Sequence, residues 1–173
     1  MPSNKTDRIL GIAIGVLMLL LVGTIASTLR EKVVRVGDKA PDFELVTDSG
    51  QRVTRSNFGG RLLVLNFWAT WCPPCIEELP SLNELQQRLG GEGLVVLGVS
   101  VDKDGRAYQE FLSKMQVRFL TARDPEAKIS SAYGTFKFPE TYVIDSRGRV
   151  VQKHIGARVW SDERLLAQFR SLL

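Results

Sequence analysis

The chain has two cysteines, Cys72 and Cys75, with Pro73 and Pro74 between them. They stand where an apolar run rich in strand formers, Leu62 to Trp68, gives way to a pattern of helical period. The pair therefore falls at the open first turn of a helix. Unpaired backbone N–H groups there carry partial positive charge, which favours thiolate over thiol, and thiolate is the nucleophile. Helix geometry puts Cys72 at the opening and Cys75 one turn deeper, so Cys72 reads as the exposed attacking thiol and Cys75 as the resolving one. A Cys-x-x-Cys alone fits redox chemistry, half a metal site or chance. The junction and the prolines at the first helical positions favour redox, and an inert structural disulfide over so short a loop would staple almost nothing. The chain has a single histidine, His154, so a zinc cage would need carboxylates to complete it. No metal and no cofactor are expected beyond the redox-active Cys72–Cys75 pair.

Glu78 follows Cys75 by three residues, which places both on one face of the helix. A carboxylate there would discourage ionisation of Cys75 and could take its proton during disulfide resolution. A solvated helix glutamate is the equal alternative, and Glu77 fits that description. Trp71 reads as an exposed rim residue and Trp68 as core. Glu140 reads as a surface strand residue, and His154 as a strand residue with no catalytic task.

Several elements must position these groups. Phe43 and Leu45 alternate with polar residues as a half-buried strand, Asp48-Ser49-Gly50 turns, and Gln51 to Thr54 returns as a hairpin arm. Leu62 to Trp68 is apolar on both alternate sets, as for a central strand covered on both faces. The helix from Pro73 carries Ile76, Leu79, Leu82, Leu85 and Leu89 on one side, contains Pro80, and stops at Gly90-Gly91. Leu94 to Val101 is a second buried strand. Asp104 to Met115 reads as a helix, 117–120 as an extended piece, and Ala127 to Tyr133 as a brief helix. Thr141 to Ile144 and Val150 to Ile155 form a hairpin, and Ser161 caps a final helix. This order describes an α/β domain with a mixed sheet and helices on its faces.

Ile9 to Leu29 has no charge and lies between Arg8 and Arg30, long enough as a helix for the roughly 20 residues of a bilayer crossing. A cleaved signal peptide has a shorter apolar core and a small-x-small exit, of which Thr24-Ile25-Ala26 is a poor version. The expected organisation is a short cytoplasmic N-terminus (1–8), a transmembrane anchor (9–29), a polar tether (30–36) and a folded domain (37–173). Basic residues flank the span on both sides, so their count does not orient it. The 173 residues carry a formal charge of +4. Lys and Arg are scattered among acidic residues, which reads as a mildly basic solvated surface and not as a nucleic-acid interface.

Phe67-Trp68-Ala69-Thr70-Trp71-Cys72-Pro73-Pro74-Cys75 resembles the active-site segment of thioredoxin-fold thiol-disulfide oxidoreductases. The opening Gly37-x-x-Ala40-Pro41-x-Phe43-x-Leu45 and the later Phe138-Pro139-Glu140-Thr141-Tyr142-Val143-Ile144-Asp145 are similar to the membrane-anchored TlpA/ResA/CcmG type of the redoxin family. The resemblance implies a thioredoxin-like fold with an N-terminal β-hairpin extension. It also implies a cis Phe138–Pro139 bond whose loop lies beside Cys72 and, with Trp71, Pro73 and Pro74, beds an extended substrate. The family carries an acidic residue at the Glu78 place, whereas Asn66 stands where cytosolic thioredoxins bury an aspartate beneath the cysteines. The implied activity is reduction of protein disulfides on the periplasmic or extracytoplasmic side of a bacterial cytoplasmic membrane. The implied partners are apocytochrome c or its maturation factors, with a transmembrane thiol carrier as electron donor. Two other classes fit parts of the chain. The Ala40-Pro41-x-Phe43 opening is shared with peroxiredoxin-like thiol peroxidases, although Asn66 to Ala69 lack the proline of their peroxidatic pattern. A non-enzymatic thioredoxin-like binding module fits the fold but not the intact cysteines.

Overall fold

The computed structural model describes residues 5–28 and 33–173. They divide into two compact units, 1–32 and 33–173. The first holds helix α1 (Lys5–Thr28). Its side chains are described over residues 8–24. Among the described residues, no helix is long and apolar enough to cross a membrane. The anchor expected over 9–29 extends onto a residue outside the described ones.

The second unit is built on strand β3 (Leu62–Trp68), every residue of which is buried. Five strands form one sheet in the order β5-β4-β3-β6-β7: β4 is Leu94–Ser100, β5 Leu120–Arg123, β6 Glu140–Ile144 and β7 Val150–Ile155. Strands β3, β4 and β5 are parallel, while β6 runs antiparallel to β3 and β7 antiparallel to β6. A right-handed crossover through helix α2 (Pro73–Leu89) is the usual way to return β4 parallel to β3. The hairpin β1 (Glu44–Val46) and β2 (Arg52–Thr54) forms a separate antiparallel sheet, pairing Leu45 with Val53. The expected N-terminal hairpin and mixed central sheet are thus both present.

The period of two in β3 divides the interior into two cores. Leu62, Val64 and Trp68 pack with Leu79, Leu82, Leu85 and Leu89 of α2, with Tyr108 of α3 (Gly105–Lys114) and with Leu166 and Phe169 of α5 (Glu163–Arg170). Leu63, Leu65 and Phe67 pack on the other face with Leu45, Val53, Tyr133 and Tyr142. Asn66 shares parity with the first set, so it points at α2. The remaining helix, α4 (Lys128–Ala132), is short.

Three of the differences from the sequence reading have a direct physical cause. The strand placed at 117–120 is Leu120–Arg123, because parallel pairing with β4 begins at Leu97–Leu120. The last helix is capped by Asp162, whose carboxylate accepts from the N–H groups of Arg164 and Leu165 at 3.0 and 3.3 Å, one residue beyond Ser161. The tether expected over 30–36 is partly domain: Val34 is buried, its N–H donates to the Tyr133 carbonyl at 3.1 Å, and its own carbonyl accepts from Lys153 Nζ.

The cap assignment is tested by substitution: Asp162→Ala should lower unfolding free energy by about 1 kcal/mol and Ser161→Ala by much less, measured by denaturant titration.

Candidate active site

Strand β3 ends at Trp68, a loop of three residues follows, and Cys72 becomes the N-cap of α2 with Pro73 and Pro74 in its first turn. Proline suits those positions, because its missing N–H has no intrahelical partner to lose and its φ is already helical. Cys72 and Cys75 are joined as a disulfide with Cα atoms 5.2 Å apart. The Cys72 carbonyl accepts the Ile76 N–H at 3.2 Å, closing the first turn.

Cys72 departs from expectation in its exposure. It is 5% accessible and Cys75 is 0%, because the bond draws Cys72 Sγ against a partner enclosed by the helix and the first core. The order is as expected, with Cys72 the more open of the two. Around it Trp71 is 65% exposed, Pro73 and Pro74 are exposed, and Trp68 is wholly buried.

A carboxylate that the sequence reading passed over holds the loop in place. Asp102 is buried just beyond the end of β4. It accepts from the Thr70 N–H at 2.8 Å, the Thr70 hydroxyl at 2.7 Å and the Ser100 hydroxyl at 2.5 Å. Its signal was its position: it lies at the carboxyl end of a parallel strand, where open α/β sheets build their sites.

Register fixes the proline loop against this junction. Phe67 pairs with Glu140 and Asn66 with Thr141, so Phe138 and Pro139 lie beyond the carboxyl end of β3, on the side of the cysteine loop. The Phe138–Pro139 bond is cis, and the Phe138 ring meets Trp71 edge-on at 6.2 Å. The Pro139 carbonyl accepts the N–H of Gly156 at 2.8 Å. Gly156 has φ of +88°, a conformation that disfavours any side chain.

Glu78 is 2% exposed, which rules out the solvated alternative. Its Oε1 accepts from Asn66 Nδ2 at 2.7 Å. Its Oε2 accepts from Trp160 Nε1 at 2.9 Å and the Arg158 N–H at 3.2 Å. All three donors are neutral groups. Burial pushes the carboxyl above its ordinary value of 4.5, against the opposing pull of the bonds from Trp160, Asn66 and Arg158. Asn66 Nδ2 also donates to the Thr141 hydroxyl at 2.9 Å. Glu77, by contrast, is exposed.

Glu140 is corrected from a surface residue to a buried one, 4% exposed and ion-paired with Lys153 Nζ at 2.9 Å. The reason is its place as first residue of a strand flanked by β3 and β7, where Lys153 also lies over the Tyr142 ring at 5.0 Å. His154 sits edge-on to Trp160 at 5.4 Å. Burial, aided by the Arg158 charge, lowers its pKa to about 4, so it is neutral at physiological pH. Among the described residues, no group of three or more His, Cys, Asp or Glu side chains could hold a metal ion.

Comparison with known proteins agrees with this geometry. The model of the AhpC/TSA family matches residues 36–153. A thiol-disulfide oxidoreductase ResA of Bacillus thuringiensis is 30% identical over 144 residues, covering 80% of this chain and 83% of the relative. The thioredoxin-like protein YneN of Bacillus subtilis is 32% identical over 151 residues, covering 82% and 88%. A crystal structure from Chlorobium tepidum, described as a thiol:disulfide interchange protein DsbE, superposes with a TM-score of 0.74 at 33% identity, covering 80% of this chain and 98% of that one.

The raised Glu78 value makes stability depend on pH with a definite sign. The folded state favours the neutral carboxyl, so its contribution is complete below the ordinary value and is lost as pH rises through the raised one. Glu78→Gln should therefore gain stability over the parent with rising pH. Denaturant unfolding of both proteins across a pH series checks this, and parallel curves would contradict it.

Proposed function

The chain belongs to the AhpC/TSA family and is a thiol-disulfide oxidoreductase, and from that premise we propose that it is a membrane-anchored, extracytoplasmic reductase of protein disulfides acting in cytochrome c maturation. The observation that carries the proposal is a disulfide at a helix N-terminus with a buried carboxyl one turn along the same helix. The uncharged run of 9–29 supports the anchor, and a ResA relative with the DsbE-like structure supports the type.

In the reduced enzyme the Cys72 thiolate attacks one sulfur of a substrate disulfide. A mixed disulfide forms and the other substrate sulfur leaves as thiolate. The Cys75 thiol gives its proton to the Glu78 carboxylate, and the resulting thiolate attacks Cys72 Sγ. The substrate departs with both sulfurs reduced, and Cys72 and Cys75 are left as the disulfide. Two electrons from a transmembrane thiol carrier restore the dithiol. Trp71, Pro73, Pro74, Phe138 and Pro139 form the bed for an extended substrate, which for this reading is the haem-attachment segment of apocytochrome c or a maturation factor.

Two measurements test the reading. In a Cys75→Ala variant the mixed disulfide on Cys72 cannot resolve, so mass spectrometry of trapped complexes should find an apocytochrome or a maturation partner; a broad mixture of proteins would replace this substrate with general reduction. The reduction potential should lie toward about −270 mV, and a value near about −120 mV would reverse the direction to oxidation. Rapid consumption of hydrogen peroxide by the full chain would favour the thiol peroxidase instead.

A further inference from the structure

Asn66 is wholly buried beside Glu78, and its amide is used one-sidedly. Nδ2 donates both hydrogens, to Glu78 Oε1 at 2.7 Å and to Thr141 Oγ1 at 2.9 Å. Its Oδ1 is buried with no hydrogen-bond partner, one of two such side-chain atoms among the described residues. An unpaired buried acceptor costs about 1–3 kcal/mol, so its persistence calls for a reason.

The reason lies in what Glu78 needs in each state. An ionised carboxylate only accepts, and the three donors around it, Asn66 Nδ2, Trp160 Nε1 and the Arg158 N–H, meet that need. A protonated carboxyl must also donate. Trp160 Nε1 and the Arg158 N–H cannot accept, and the Asn66 amide as oriented offers Glu78 a second hydrogen instead of a lone pair. Turning the amide by 180° about its Cβ–Cγ bond exchanges Oδ1 with Nδ2. Oδ1 then accepts from the Glu78 hydroxyl and from the Thr141 hydroxyl, which can donate as readily as accept. Two hydrogen bonds exist before the turn and two after it, with their direction reversed.

We infer that Asn66 is a positioning residue whose side-chain amide reverses with each protonation of Glu78, so that the carboxyl exchanges a proton without losing its hydrogen-bonded place in the core. The reversal keeps both hydrogen bonds: Glu78 gains one proton, Asn66 changes from donor to acceptor toward it, no covalent bond in Asn66 changes, and Nδ2 moves into the buried position that Oδ1 held without a partner. An aspartate at this position would instead put a second ionisable carboxyl within hydrogen-bond reach of the first. The surroundings leave Asn66 as the group able to respond. From β3 and β6 the facing side chains are the uncharged Asn66 and Thr141. From α2 comes Cys75, and from the segment after β7 come Arg158, whose guanidinium contacts His154 Nδ1, and His154 itself against Trp160. Glu140 and Lys153 lie on the opposite face of the sheet, with Tyr142.

This inference rests on the proposed proton-handling role of Glu78, and one experiment separates the two. The full chain, labelled with carbon-13 and nitrogen-15 and reduced, is titrated by NMR while the Glu78 carboxyl carbon and the Asn66 side-chain amide are followed together. Both should shift with one midpoint, and the Asn66 shift should vanish in Glu78→Gln. Asn66→Asp should in addition raise the pH midpoint of disulfide exchange by about one unit or more, through two carboxyls sharing a proton. A Glu78 carbon that titrates while the Asn66 amide stays fixed overturns the reversal and leaves proton handling standing. A Glu78 carbon that does not titrate across the folded range overturns both.

Discussion

The pairing of β3 on both edges, with cover on both faces, is the constraint from which the site follows. Its partner β4 delivers Asp102 to the cysteine loop, and its partner β6 delivers Thr141 and the cis proline. Its own side chains alternate so that Asn66 must face α2, where Glu78 lies. A slip of one residue in either pairing would turn Asn66 to the other core and leave a carboxylate among leucines.

Two buried carboxylates in the same domain are satisfied in opposite ways. Glu140 has a counter-charge, Lys153, which also holds the Val34 carbonyl and so fastens the start of the domain to the sheet. Glu78 has neutral donors alone. Burial, with dipoles in place of a counter-charge, keeps the neutral form of Glu78 within reach. Position relative to the cysteines parallels this difference: Glu78 is on the cysteine helix, and Glu140 is on the far face of the sheet.

Much of this was readable from local pattern. The strand to Trp68, the helix from Pro73 and the cysteine order follow from periodicity and from proline chemistry, which act within a few residues. The Glu78 role stayed divided because burial of a polar residue on an amphipathic helix depends on what packs against it, and Trp160 lies 82 positions away. Glu140 was misplaced for the same reason, since its cover comes from β7 through Lys153. Asp102 escaped notice because Thr70, whose N–H and hydroxyl it accepts, lies 32 positions away on the loop after β3. The cis bond was available only through family resemblance, as nothing in the letters Phe-Pro distinguishes the isomers.

The residues between the cysteines carry a consequence of their own. A helix end normally offers several free N–H groups to an anion, but Pro73 and Pro74 have none. The Ile76 N–H is already taken by the Cys72 carbonyl. A thiolate at Cys72 is therefore left with the amide of Cys75 and the diffuse field of the helix axis. The two-residue spacer thus acts as a shutter on local solvation of the sulfur, and each proline exchanged for a residue with an N–H would open it by one donor.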